Sequence, residues 1–137
     1  MNQISPYLKF DGNTREAMGF YKDCFGGSLT LTTVGESAYA KQMPPETYQK
    51  IVHSTLTKGP VTISASDLSG PAGIVKGNSI SLNLDCSSEE ELRALVTKLS
   101  SNGGTIEFPV APSFWGGLYA QLTDRFGTNW MLNTTPK

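Results

Sequence analysis

The chain carries one histidine, two cysteines and no long run of charged or of apolar residues, and each scarcity removes a class of function. Cys24 and Cys86 form no CxxC pair, so neither a disulfide framework nor a zinc or thiol-redox centre is expected. They read as small buried hydrophobes, one packed on a helix and one ending a strand. With 11 basic residues against 12 acidic, the net charge is −1. No basic stripe exists to follow a phosphate backbone, which argues against a nucleic-acid partner. The apolar runs are too short to cross a bilayer, and MNQISPYLKF has neither the basic start nor the apolar core of a signal peptide. A cytoplasmic protein with no membrane partner is the expectation. GxGxxG, the P-loop, the nucleophile elbow and the Cys/His dyad are all missing. The carboxylates form no convincing catalytic pair: Asp67, Asp85 and Asp124 each end a strand, and Glu89, Glu90 and Glu91 open a helix.

What remains is an ordinary globular composition, 38% hydrophobic and 17% charged over 137 residues, enough for one domain with a substantial core. ISPYLKF alternates as a first strand. NTREAMGFYKDCFGG follows as a helix, with Asn13 as its cap and Glu16 as the capping-box partner. Ala17, Phe20, Tyr21, Cys24 and Phe25 share its apolar face, and Gly26 and Gly27 end it. SLTLTTV is the next strand. In the polar excursion GESAYAKQMPPETYQ, Pro44 and Pro45 argue against a regular element. KIVHSTLTKG and PVTISASD then make a hairpin.

After a glycine-rich connector the pattern begins again. SISLNLDC is a strand, SSEEELRALVTKLSSNGG a helix capped by Ser87 or Ser88, TIEFPV a strand and APSFWGG a loop. LYAQLTD and TNWMLN close the chain as a hairpin. The halves share one order and repeat at about 70 residues, too long for a solenoid. The expected fold class is α+β: two paired βαβββ modules forming curved, mostly antiparallel sheets around a cavity. A single domain would span residues 1–137, with module one at about 1–67, a connector at 68–78 and module two at about 79–137.

SPYLKFDGNTREAMGFYKDCFGG, IVHSTLTKGPVTISASD and FWGGLYAQLTDRFGTNWMLN, in this layout, resemble the vicinal oxygen chelate superfamily of glyoxalases, bleomycin-resistance proteins and dioxygenases, and within it the PhnB-like branch. The resemblance implies paired βαβββ units and commonly a homodimer. It also implies four positions where superfamily enzymes hold a divalent ion, on the first and last strands of each module. By position these are Pro6, Ile63, Ser79 and Met131, with Tyr7, Ser64, Ile80 and Leu132 beside them. No histidine or carboxylate stands there, so no metal and no cofactor are expected. A methyltransferase label, sometimes attached to this branch, finds no glycine-rich cofactor turn in the sequence.

His53 lies one strand before the last of its module, and its counterpart in the second half is Tyr119. A lone imidazole is a poor metal site. It reads either as a strand residue bonded to its surroundings or as a cavity-facing group, a hydrogen-bond donor or general base. If it faces inward, Thr55 and Thr57 should too. Phe114 and Trp115 either plug the core or line a pocket mouth, and Tyr119 with Gln121 alternate on one strand face. Tyr7 and Trp130 are expected as core or dimer-interface aromatics. The candidate ligand-binding set is therefore His53, Thr55, Phe114, Trp115, Tyr119 and Gln121, with His53 also the catalytic candidate. Two functions follow: metal-independent binding of a small molecule, or a lyase, isomerase or transferase using His53 or a non-standard metal site.

Overall fold

Pro6 has no N–H to give a ladder, but its carbonyl accepts from Ser64 N at 3.1 Å, and from there β1 (Tyr7–Lys9) runs parallel to β4 (Val61–Ser66). The computed structural model describes residues 2–135 and divides the chain into two units, Met1–Val75 and Lys76–Lys137. In the first, β1 leads to α1 (Thr14–Phe25), β2 (Ser28–Thr33), β3 (Ile51–Lys58) and β4, with sheet order β1-β4-β3-β2. The second repeats it with β5 (Leu82–Cys86), α2 (Glu89–Leu99), β6 (Thr105–Pro112), β7 (Leu118–Thr123) and β8 (Asn129–Thr134), in the order β5-β8-β7-β6. Each sheet is mixed: its first strand lies parallel to its last, and the other pairings are antiparallel. This is the α+β architecture of twin βαβββ modules.

In each unit the helix covers one face of its sheet and leaves the other open. Ala17, Met18, Tyr21 and Cys24 are the buried face of α1, packed toward Leu56, Ile63 and Ala65. Met18 takes a core place, fully buried, while Phe20 is half-buried with its ring centroid 5.7 Å from that of Tyr21. In the second unit Leu92, Val96 and Leu99 of α2 form a core with Ala120, Leu122, Trp130 and Leu132. Removing a large side chain such as Trp130 from such a core costs about 3–5 kcal/mol. Both cysteines are free and buried.

Two local expectations are corrected. Asn13 makes no side-chain cap; the α1 start is held instead by Asp67, whose Oδ1 accepts from Thr14 N at 3.0 Å across 53 residues of chain. The excursion after β2 is also more regular than its prolines suggest. It holds two short 3-10 helices, Ala38–Gln42 and Pro45–Thr47, because Pro45 falls at a first-turn position where no N–H is needed. Of the two serines before α2, Ser88 is the cap, its hydroxyl accepting from Glu91 N at 3.1 Å.

Candidate functional site

The placement of His53 depends on a β-bulge. Thr32 pairs with His53 and Thr33 with Ile51, so Val52 has no partner. Without that extra residue, Ile51 and His53 would share a face. With it, Ile51 is buried on the helix side while His53 stands exposed on the open face. Ser54 and Leu56 are buried, and Thr55 and Thr57 alternate with them on the same side as His53.

The open face of the first sheet carries a hydrogen-bonded array. Tyr7, Ser64, Thr55 and Thr30 form one cross-strand row. Tyr7 Oη lies 3.0 Å from His53 Nδ1, and Thr55 Oγ1 lies 3.0 Å from His53 Nε2. Thr55 Oγ1 is in turn 3.3 Å from Ser64 Oγ. Both imidazole nitrogens are thus occupied by hydroxyls, which can donate or accept as the ring requires. Tyr7 is therefore not a core aromatic; it is 49% exposed and bridges to the histidine.

Tyr119 takes in the second sheet the place of His53 in the first. The row Asn83–Met131–Gln121–Phe108 matches the row Tyr7–Ser64–Thr55–Thr30, and Tyr119 lies two residues before Gln121 as His53 lies two before Thr55. Around Tyr119 the groups are aromatic: Phe108 at 6.2 Å and Trp115 at 6.1 Å between ring centroids, with Phe114 edge-on to Trp115 at 5.0 Å. Phe114 is 97% exposed, so it does not plug the core. Trp115 is tethered through Nε1 to the Thr134 carbonyl at 3.4 Å. Gly117 permits this close approach, since a Cβ there would meet Thr134 O at 2.0 Å. Beside the aromatics, Asn133 Nδ2 donates to Asn83 Oδ1 at 2.5 Å.

The sequence-predicted residues thus fall into two groups, His53 with Thr55 in the first unit and Phe114, Trp115 and Tyr119 in the second. Gln121 shares the Tyr119 face. Sequence reasoning missed Tyr7 and Ser64. The signal for them was present, because alternation along β1 and β4 puts both on one side once parallel pairing is known.

The positions singled out in the sequence for a metal are placed as follows. Ile63 is 2% exposed on the helix side, so its open-face neighbour is Ser64. Met131 pairs with Asn83, while Ser79 lies before β5. Tyr7 and Ser64 in the first unit bring a phenol and a hydroxyl, Asn83 and Met131 in the second a carboxamide and a thioether, and none of the four is an imidazole or a carboxylate. Among the described residues, no three His, Cys, Asp or Glu side chains converge.

Residues 3–132 match the profile of the Glyoxalase/Bleomycin resistance protein/Dioxygenase superfamily. Protein YjdN of Escherichia coli (strain K12) is 29% identical over 138 aligned residues, covering 95% of this chain and 93% of that protein. The crystal structure of protein PA1353 from Pseudomonas aeruginosa is 34% identical, with a TM-score of 0.85 over 100% of both chains. The PhnB protein from Bacillus cereus, whose name proposes a 3-demethylubiquinone-9 3-methyltransferase, is 23% identical with a TM-score of 0.71, covering 98% of this chain and 100% of that one.

Proposed function

The chain belongs to the glyoxalase/bleomycin resistance protein/dioxygenase superfamily, and we propose that it is a PhnB-like small-molecule-binding protein that works without the divalent ion of that superfamily. The observation that carries this reading is the state of His53. Its two ring nitrogens both face hydroxyls at 3.0 Å, so whichever of them carries the lone pair has it directed at a hydroxyl and not at an ion. What the open faces offer a ligand is hydrogen bonding from Tyr7, His53, Thr55 and Ser64, and aromatic surface from Phe114, Trp115 and Tyr119. Ligand recognition by a few polar groups, or by aromatic surface, needs no metal. The methyltransferase name of the Bacillus cereus relative gains no support from these residues. The sequence contains no GxGxxG with which a strand-to-helix turn could approach a nucleoside cofactor.

The test is a thermal-stability screen of metabolite-sized compounds, run with and without a strong chelator. Compounds that raise the melting temperature should do so equally in both conditions, and the rise should shrink in His53→Ala. Stabilisation that disappears with chelator contradicts the reading. The protein is further proposed to act as a cytoplasmic homodimer, which light scattering on the eluting peak would check.

A second reading is favoured by the same array. Tyr7, His53, Thr55 and Ser64 form a continuous chain of groups that each donate and accept, so a proton taken at one end is replaced from the other. An enzyme of the lyase, isomerase or transferase kind would use His53 through that chain. It requires turnover that vanishes in His53→Ala while the circular-dichroism spectrum is kept.

A further inference from the structure

The second unit exposes a group of aromatic rings that its core does not claim. Phe108 and Trp115 flank Tyr119 at 6.2 and 6.1 Å, and Phe114 stands edge-on to Trp115. On the same open face Asp85, Asn133 and Tyr119 form one cross-strand row. Two strand spacings separate Asp85 from Tyr119, about 10 Å, with Asn133 between them. The acid orients the amides of this row. A carboxylate only accepts, so Asn83 turns Nδ2 to Asp85 Oδ1 at 3.4 Å and its own Oδ1 to Asn133. Asn133 gives Nδ2 to Asn83 and keeps its Oδ1 without a protein donor among the described residues. What remains to meet a ligand is an amide oxygen, a carboxylate and the faces of rings, all electron-rich. The bases of this unit stand elsewhere: among the described residues they are Lys76, Arg93, Lys98 and Arg125. Arg93 pairs with Glu89 at 2.8 Å, and Lys98 is in the last turn of α2. Arg125 and Gly127, against which Lys76 packs, belong to the β7–β8 turn at the opposite end of those strands from Tyr119 and Asn133.

We infer that this face holds the ammonium group of a small-molecule ligand, seated over Asn133 between the Asp85 carboxylate and the Tyr119 ring. The face of an aromatic ring carries the negative part of its quadrupole and attracts a cation within about 6 Å, Trp and Tyr more than Phe. Trp115 has its N–H tied to the Thr134 carbonyl, so it offers the ligand a ring face and not a donor. Asp85 adds charge attraction from the other side of the row, and Asn133 Oδ1 accepts from any N–H the ammonium carries. Asn83 touches no ligand in this arrangement; it positions Asn133. The inference rests on the small-molecule-binding reading above and adds a chemical class to its ligand.

The probes are choline and its uncharged carbon analogue, in which a tert-butyl group replaces the trimethylammonium, so that shape is kept and charge is lost. Trp115 is 40% exposed and Trp130 only 1%, and these two tryptophans give the full-length protein two indole N–H resonances. Choline should shift the Trp115 resonance saturably and leave that of Trp130 in place, and the alcohol should shift neither. Tyr119→Leu should weaken choline about fivefold, the size of one exposed cation–π contact, while Tyr119→Phe keeps the ring and the affinity. Asp85→Asn should also weaken choline, by a margin that shrinks at high salt. Glu107→Gln removes an equal charge from the far end of β7, where Glu107 takes the Thr123 hydroxyl, and should leave the affinity unchanged. An equal response to the alcohol, no saturable shift with choline, or unchanged affinity in Tyr119→Leu or Asp85→Asn overturns the ammonium site. So does an equal loss in Glu107→Gln, which would reduce the effect to net charge. Choline binding that appears only after a divalent ion is added would instead overturn the metal-independent reading, so the two failures are distinct.

Discussion

At the scale of the residue, burial and hydrogen bonding decide what each polar group can do. Cys86 is 5% exposed, and burial, aided by Glu91 and Asp85, pushes its thiol up from 9.0 to about 11. The sign of the consequence follows from proton counting. Between about pH 9 and about pH 11 the unfolded chain releases this proton and the folded chain keeps it, so stability falls as pH rises through that window. Urea denaturation at the two ends of the window should show that fall, and Cys86→Ala should flatten it. An equal slope in the variant would assign the effect elsewhere. The same reasoning keeps Cys86 a poor nucleophile, in line with its sequence reading as a small apolar side chain.

At the scale of the element, the connections that matter join parts of the chain far apart in sequence. Asp67 takes Thr14 N at the start of α1 and Ile51 N just before the bulge that turns His53 outward. Its negative charge also suits the positive end of the helix dipole. Asp67→Asn replaces one acceptor by a donor facing an N–H, which should cost about 1–3 kcal/mol. Ser88→Ala, which removes a local cap on α2, should cost about 1 kcal/mol. Denaturant titration measures both. The difference that identifies Asp67 as the anchor of the bulge is spectroscopic: Asp67→Asn should disturb the His53 ring resonances, and Ser88→Ala should leave them in place.

At the scale of the whole molecule, the duplicated element order was legible because it is written in local patterns. Alternation gave strands and the period of about 3.6 residues gave helices; Gly26 caps the first helix as expected, while the second ends earlier, on Ser100, ahead of its Gly-Gly pair. The pairing of His53 with Thr55 on one face also follows from strand periodicity. What was not legible depends on contacts between distant segments. The Tyr7–His53 bond spans 46 residues and exists only because β1 pairs in parallel with β4, which no local signal announces. The Asp67 cap spans 53 residues, so the nearby Asn13 looked sufficient. The register at Ile63 was misplaced in the same way, since Ile63 and Ser64 are equally plausible until one of them is seen to face the helix. The proline-bearing excursion hid its 3-10 turns because proline disfavours a helix interior but suits a first turn. No helix among the described residues is long and apolar enough to cross a membrane.

Both readings of the site turn on whether the first unit's open face works through hydrogen bonds alone. Elemental analysis of the protein after exposure to excess zinc, manganese, nickel and ferrous iron, followed by gel filtration, addresses this directly. The account predicts far less than one retained divalent ion per chain, with ligand stabilisation intact. One ion held per chain, lost together with ligand binding in His53→Ala, would contradict it.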